Sequence, residues 1–519
     1  MQSDRIGAVS DFRGSSLVNQ ILVGKSITTP DSGQVHLLSR YGNRHGLIAG
    51  ATGTGKSVSL MVLAEGLSRQ GVPVFVADIK GDIAGLAMPG SSNDKITARV
   101  EQIGIEDYTN EGNPVVYWDM FGQDGHPVRA TVSEIGPMLL ARMLELNDTQ
   151  SGVLDIVFKL ADDNGWLLLD MDDLRSLLIF AGEERKAISA QYGLISTASI
   201  GAIQRALLRL EQAGGNQFFG EPALELSDLM RTDLSGRGII NILAADKLFL
   251  KPRLYSTFLL WMLSELFETL PEVGDLDKPR LVFFFDEAHL LFNDAPPALR
   301  QRVEQVVRLI RSKGVGVYFC SQFPDDMPGE ILGQLGNRVQ HALRAYTPRD
   351  QKAVRTAAQT FVPNPDLNVE QTISQLGTGE ALTSMLLDKG IPAPVEKTLI
   401  CPPRCRMGAI SPEERARVRA ASPIGPRYDT PVNRESAHEI LSRRAEERTA
   451  AQAQEAAAKA AGKDGKSEGG MGQAVNEWLW GTKRRQGVVQ TMTKQTARTV
   501  GTKLGNQILR GVLGGIFKK

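Results

Sequence analysis

GLIAGATGTGKSVSL, residues Gly46–Leu60, decides how this chain folds. An apolar run reaches Ala49, breaks into glycines, and opens a segment with helical apolar spacing at Val58, Met61, Val62 and Leu67. Gly50, Gly55, Lys56 and Ser57 fit G-x-x-x-x-G-K-[ST], a loop whose backbone N–H groups face a phosphate. The positive end of the helix dipole adds to that attraction. The expected nucleotide-binding stretch is Gly50, Ala51, Thr52, Gly53, Thr54, Gly55, Lys56, Ser57 and Val58. Lys56 is placed to reach the β- and γ-phosphates, and the Ser57 hydroxyl to be a Mg²⁺ ligand. A second Gly-Lys-Ser, at Gly24–Ser26, has Asn19 where a first glycine is needed and reads as an ordinary turn.

Around this loop, 519 residues suggest two to four domains with ample core. A hydrophobic fraction of 42% and a charged fraction of 23% are ordinary for a soluble globular chain. No apolar run approaches the roughly 20 residues of a membrane span, and MQSDRIGAVSDFRG lacks the layout of a signal peptide. Three cysteines, Cys320, Cys401 and Cys405, make no disulfide framework, so the expected location is the reducing cytoplasm. The zero net charge hides an asymmetry. Of 59 basic and 59 acidic residues, 22 and 11 fall in 401–519, leaving 37 and 48 in the first 400. A basic tail on an acidic body suggests an anionic partner or self-docking.

Strand and helix alternate from about residue 45 to 120, with strands at His45–Ala49, Pro73–Asp78 and Val115–Trp118. Residues 133–232 contain helical stretches such as Gly136–Leu146, Leu154–Ala161 and Ile200–Gln212, and read as an all-helical insertion. Alternation resumes with strand Gly238–Leu243, helix Leu254–Leu270, strand Leu281–Phe285, helix Ala298–Arg311 and strand Val315–Phe319. Apolar strands with helices between them predict an α/β core, a mostly parallel sheet covered on both faces. The expected parts are the core in two pieces, 1–132 and 233–400, around the insertion. A helical segment and flexible linker follow over 401–473, and basic amphipathic helices over 474–519.

LVFFFDEAH ends a strand in Asp286 and Glu287. Asp286 is expected to orient Mg²⁺, partly through water, and Glu287 to act as general base on a water at the γ-phosphate. VFVADIKGD ends another strand, and its Asp78 or Asp82 could support the metal shell or cap the next helix. Gln322, after VYFCS, is expected to sense the γ-phosphate. His289 reads as structural. Arg44, Arg308, Arg311, Arg338, Arg344 and Arg349 are candidates for the cation on the developing charge.

NRHGLIAGATGTGKS, ADIKGD, FFFDEAHLLF, VVRLIRSKGVGVYFCSQFPDDMP and LGQLGNRVQHALRAYTPRDQKAV together resemble the bacterial HerA-like P-loop ATPases of the HerA/FtsK group, over roughly residues 40–400. The resemblance implies a RecA-like core, hexameric rings and ATP bound between subunits. It also implies that Arg311 acts on the γ-phosphate and that Arg44, twelve residues before Lys56, acts on a neighbour's nucleotide. Two features depart from that pattern. About 45 residues precede the loop where HerA proteins carry a β-barrel domain, and the basic tail has no counterpart there.

Cys401-Pro-Pro-Arg-Cys405 lacks a second ligand pair and reads as structural rather than as a zinc site. Trp478-Leu479-Trp480 beside Lys483-Arg484-Arg485 could dock on DNA, a membrane surface or another subunit; protein docking is favoured over lipid, and DNA binding stays open. The expected function is an ATP hydrolase with ATP and Mg²⁺ as cofactors, a homohexameric ring translocating double-stranded DNA. The alternative from another class is an ATP-gated assembly protein without translocation, and a small-molecule kinase ranks below both. A nuclease or other protein partner stays open.

Overall fold

The structure is a computed structural model that describes residues 19–248, 251–292 and 297–461, with the short pairs 481–482 and 485–486. Twelve strands form one sheet: β1 (Gln20–Ser26), β2 (Gln34–Leu38), β3 (Gly46–Ala49), β4 (Val74–Asp78), β5 (Val115–Asp119), β6 (His126–Pro127), β7 (Ile240–Ala244), β8 (Leu281–Phe285), β9 (Val315–Ser321), β10 (Asn337–Gln340), β11 (Glu380–Ser384) and β12 (Glu396–Ile400). Their order is β2-β1-β12-β11-β10-β3-β9-β8-β4-β7-β5-β6. Every pairing from β10 to β6 is parallel. The pairings from β2 to β10 are antiparallel.

The parallel block follows from its sequences. GLIA, VFVAD, VVYWD, LVFFF and VGVYFCS are buried along their whole length, as strands covered on both faces must be. The period of two divides them between two cores. Leu47, Phe75, Trp118, Phe283, Phe285 and Phe319 join the insertion helices in one. Ile48, Val76, Tyr117, Phe284 and Tyr318 join Leu60, Leu63 and Leu67 of the phosphate-loop helix in the other.

Between β6 and β7 the chain is helical, as expected, with Val132–Met143, Asp148–Asn164, Met171–Glu183, Arg185–Tyr192 and Thr197–Gln212 as its main helices. Thr131 with Glu134, Asn147 with Gln150, and Asp170 with Asp173 close reciprocal caps that satisfy the free N–H groups of three of them. The expected start at Gly136 is a break inside the first helix, where Gly136 takes φ 71° ahead of Pro137.

Two expectations are corrected. Gly24–Ser26 is no turn but the end of β1, paired with β12 from Gly24↔Ile400 to Ser26↔Thr398. A side chain at Gly24 would meet the Leu399 carbonyl oxygen at 2.2 Å, so the glycine serves strand approach rather than a bend. Nor does a separate segment begin at 401. Residues 401–442 pack onto the sheet in one compact unit, Met1–Ser442. Glu65 accepts the N–H groups of Arg404 and Cys405, and the Arg415 guanidinium lies 4.6 Å from the Tyr117 ring centre. Tyr428 is fully buried against Trp118 and donates to Asp228 at 2.6 Å.

The second unit, Arg443–Lys519, holds the remainder of helix Ala437–Ala461, exposed over residues 443–457, and a two-stranded pairing of Gly481–Thr482 with Arg485–Gln486. The linker expected up to 473 and the amphipathic helices expected beyond it otherwise lie outside the described residues. Among the described residues, no helix is long and apolar enough to cross a membrane.

Candidate nucleotide-binding site

The phosphate loop leaves β3 at Ala49 and enters helix Lys56–Arg69. Gly50, Gly53 and Gly55 take φ of 151°, 78° and 118°, where L side chains are strained. At Gly50 space decides as well, since a Cβ would lie 2.5 Å from that of His341. The loop is pinned from both sides: Gly50 N–H donates to Ser321 O at 3.2 Å, and Ala51 N–H to Ala342 O at 2.9 Å. Thr54 folds its hydroxyl onto Ala51 O at 2.7 Å and accepts the Gly379 N–H at 3.2 Å. Thr52 and Gly53 form the exposed crest, while Val58 packs inward against the apolar core.

Lys56 is buried and donates to Gly50 O at 2.7 Å and Ala51 O at 3.3 Å. Burial lowers its pKa, and the nearby charge of Glu287 opposes that shift. Ser57 donates to Asp82 at 2.9 Å. Asp78 accepts the N–H groups of Gly81 and Ile83 and so holds the turn that presents Lys80 and Asp82. Burial and the neighbouring Asp82 and Asp286 charges push Asp78 up to about 7.

The acidic pair ends β8, separated from β3 by β9 alone. Phe285 pairs with Phe319, and Ala49 with Ser321, so Asp286 and the phosphate loop emerge at the same edge of the sheet. Gln322 stands at the tip of β9 between them. Asp286 is buried, and desolvation with the adjacent Glu287 charge raises it to about 6. Glu287 adopts left-handed backbone geometry, φ 47°, ψ 48°. Its Oε1 is ion-paired with Lys80, and its Oε2 lies 3.3 Å from His289 Nδ1, an ion-pair distance without hydrogen-bond alignment. Burial opposes the Glu287 charge, yet His289 and Lys80 outweigh it and hold the group at about 2.

Asp286 Oδ2 and Asp82 Oδ1 are buried without a protein hydrogen-bond partner, and the other Asp82 oxygen accepts the Ser57 hydroxyl. A set of hard oxygens with unfilled lone pairs fits Mg²⁺, which takes one or two carboxylates and completes its shell from phosphate and water.

Arg44 and Arg311 lie elsewhere. Each precedes its strand, Arg44 before β3 and Arg311 before β9, and Asn43 Nδ2 donates to the Arg311 carbonyl at 3.3 Å. They share the edge of the sheet opposite the loop, a strand length of roughly 20 Å away. Arg311 is exposed; Arg44 is ion-paired with Asp275 at 3.1 Å. Both arginines thus stand at the edge of the sheet away from Lys56. Arg338 is spent on the carbonyls of Leu335 and Leu332.

The family described as Helicase HerA-like C-terminal matches residues 24–519. The chain belongs to that family. A probable helicase of Methanocaldococcus jannaschii is 31% identical over 115 residues, 21% of this chain and 20% of the relative. The chain therefore spans about a fifth of the length of that curated relative. Among solved structures, VirB4 of Thermoanaerobacter pseudethanolicus is 16% identical with a TM-score of 0.49, over 79% of this chain and all of the other. The plasmid coupling protein TrwB, solved with a non-hydrolysable ATP analogue, is 19% identical with a TM-score of 0.45, over 75% of this chain and 96% of the other. Within this HerA-like chain three residues gain roles that the linear pattern did not assign: Lys80 and His289 on Glu287, and His341 beneath the phosphate loop.

Proposed function

We propose that this HerA-like protein is a Mg²⁺-dependent ATPase that works as a ring of six copies and moves double-stranded DNA. The observation that carries the reading is the split of its machinery between opposite sheet edges. Lys56, Ser57, Asp286, Glu287 and Gln322 gather at one; Arg44 and Arg311 stand at the other. Phosphoryl transfer gains several orders of magnitude from a cation on the developing charge, so a site built this way is completed by the arginines of a second copy.

In that reading Lys56 and the loop N–H groups hold the β- and γ-phosphates, while Ser57 and Asp286 would hold Mg²⁺. Bound there, the metal would neutralise charge on the phosphates. Glu287 takes a proton from the water whose oxygen bonds to the γ-phosphorus as the bridging P–O bond to ADP breaks. Gln322 reads whether the γ-phosphate is present. The acidic body speaks against a surface that wraps DNA broadly and does not oppose a motor, whose pore contacts need only local positive charge.

ATP turnover with and without duplex DNA, in the parent and in Glu287→Gln, tests this. The expected result is DNA-stimulated turnover that Glu287→Gln abolishes while ATP binding persists. Turnover indifferent to DNA, with ATP-dependent docking of a protein partner, would favour the ATP-gated assembly reading instead.

A further inference from the structure

We propose that Lys80 is a positioning residue for Glu287: its ammonium restrains the carboxylate until the γ-phosphate of ATP draws it away. This rests on Glu287 being the hydrolytic base. Both Glu287 oxygens face basic side chains, Oε1 the Lys80 ammonium and Oε2 the His289 imidazole, on a side chain that is 5% exposed. A base held this way does not face a water at the γ-phosphate.

The turn carrying Lys80 is itself fixed. Asp78 accepts the Gly81 N–H at 2.8 Å and the Ile83 N–H at 3.2 Å, and Asp82 takes the Ser57 hydroxyl at 2.9 Å. Movement is thereby confined to the four-carbon stem of Lys80, which is 40% exposed and has room to swing. Its ammonium lies close enough to feel Lys56, the residue assigned to the β- and γ-phosphates. A metal-bound triphosphate is still an anion, and it competes with Glu287 for that ammonium over a short distance. Substrate arrival and release of the base then become one event, which limits idle hydrolysis geometry to the loaded site.

Lys80→Met and Lys80→Arg in the full chain test this, by Mg-ATP turnover without DNA and by equilibrium binding of ATP and ADP in a Glu287→Gln background. Lys80→Met is expected to weaken ATP binding about threefold or more while leaving ADP binding unmoved. Lys80→Arg should keep parental values. Unchanged ATP binding in Lys80→Met, or equal weakening of ATP and ADP, overturns the inference alone. A parent that binds Mg-ATP without hydrolysing it overturns the ATPase reading and this inference with it.

Discussion

Ser57 donates its hydroxyl to Asp82 across 2.9 Å, tying the first turn of the phosphate-loop helix to the turn after β4. Asp82 thereby orients the hydroxyl oxygen assigned to Mg²⁺, and its own Oδ1 remains without a protein partner. Groups that orient a metal ligand are commonly worth 10- to 100-fold in metal affinity. Asp82→Ala should therefore raise the Mg²⁺ concentration for half-maximal turnover by about tenfold or more. A Mg²⁺ titration that superimposes on the parent's would remove Asp82 from the metal site.

Because Arg44 cannot meet its own phosphate loop, its loss and the loss of Lys56 should complement each other. Arg44→Ala alone is expected to cost on the order of a hundredfold in turnover or more, and Lys56→Ala to be inactive. Mixing the two variants creates interfaces with an intact Lys56 on one side and an intact Arg44 on the other, so activity should return. No recovery across mixing ratios, with both variants assembling normally, would place the completing cation elsewhere.

His45 and His341 are buried and neutral. Burial lowers each to about 4, against an ordinary value of 6.5. His45 Nδ1 accepts the Val317 N–H at 3.0 Å, and His341 bridges Ser59 and the Glu380 carbonyl. Since their folded pKa values lie below the unfolded one, the unfolded chain takes up these protons first as pH falls. Their contribution is complete above pH 6.5 and is lost toward pH 4, up to about 3 kcal/mol for each. Denaturant unfolding at pH 7.5 and pH 5 should show the loss, with a shallower pH slope in His341→Gln. Equal slopes would mean that His341 titrates normally.

Tyr428 anchors residues 401–442, with its ring against Trp118 and its hydroxyl on Asp228. Tyr428→Ala should destabilise the first unit by about 3–5 kcal/mol, as for other large buried aromatics cut to alanine. A change below about 1 kcal/mol in urea unfolding would mean the segment adds little to that unit.

What could be read in the linear pattern was what local chemistry dictates. The parallel strands announce themselves because LVFFF and VGVYFCS are apolar on both faces, and the phosphate loop because its glycines and Lys56 fall at fixed spacing. β1, β2 and β10 to β12 were not legible. QILVGKS and EKTLI carry polar residues among partly exposed positions, and their pairing with each other joins segments hundreds of residues apart. The same holds at the site. Asp286 and Glu287 follow directly from their strand, whereas Lys80 on Glu287 and His341 under Gly50 come from strands brought side by side by the sheet order. The arginines show the limit most plainly: spacing finds Arg44 and Arg311, but only the sheet direction shows that they face away from their own Lys56.

Arg311 and Gln322 flank one buried seven-residue strand, β9, which is clamped between β3 and β8. A stiff rod so placed cannot absorb a shift at one tip without passing it to the other. In a ring, the tip that registers loss of γ-phosphate in one active site would tug the finger inserted into the next, so firing would travel around the circle in order instead of at random.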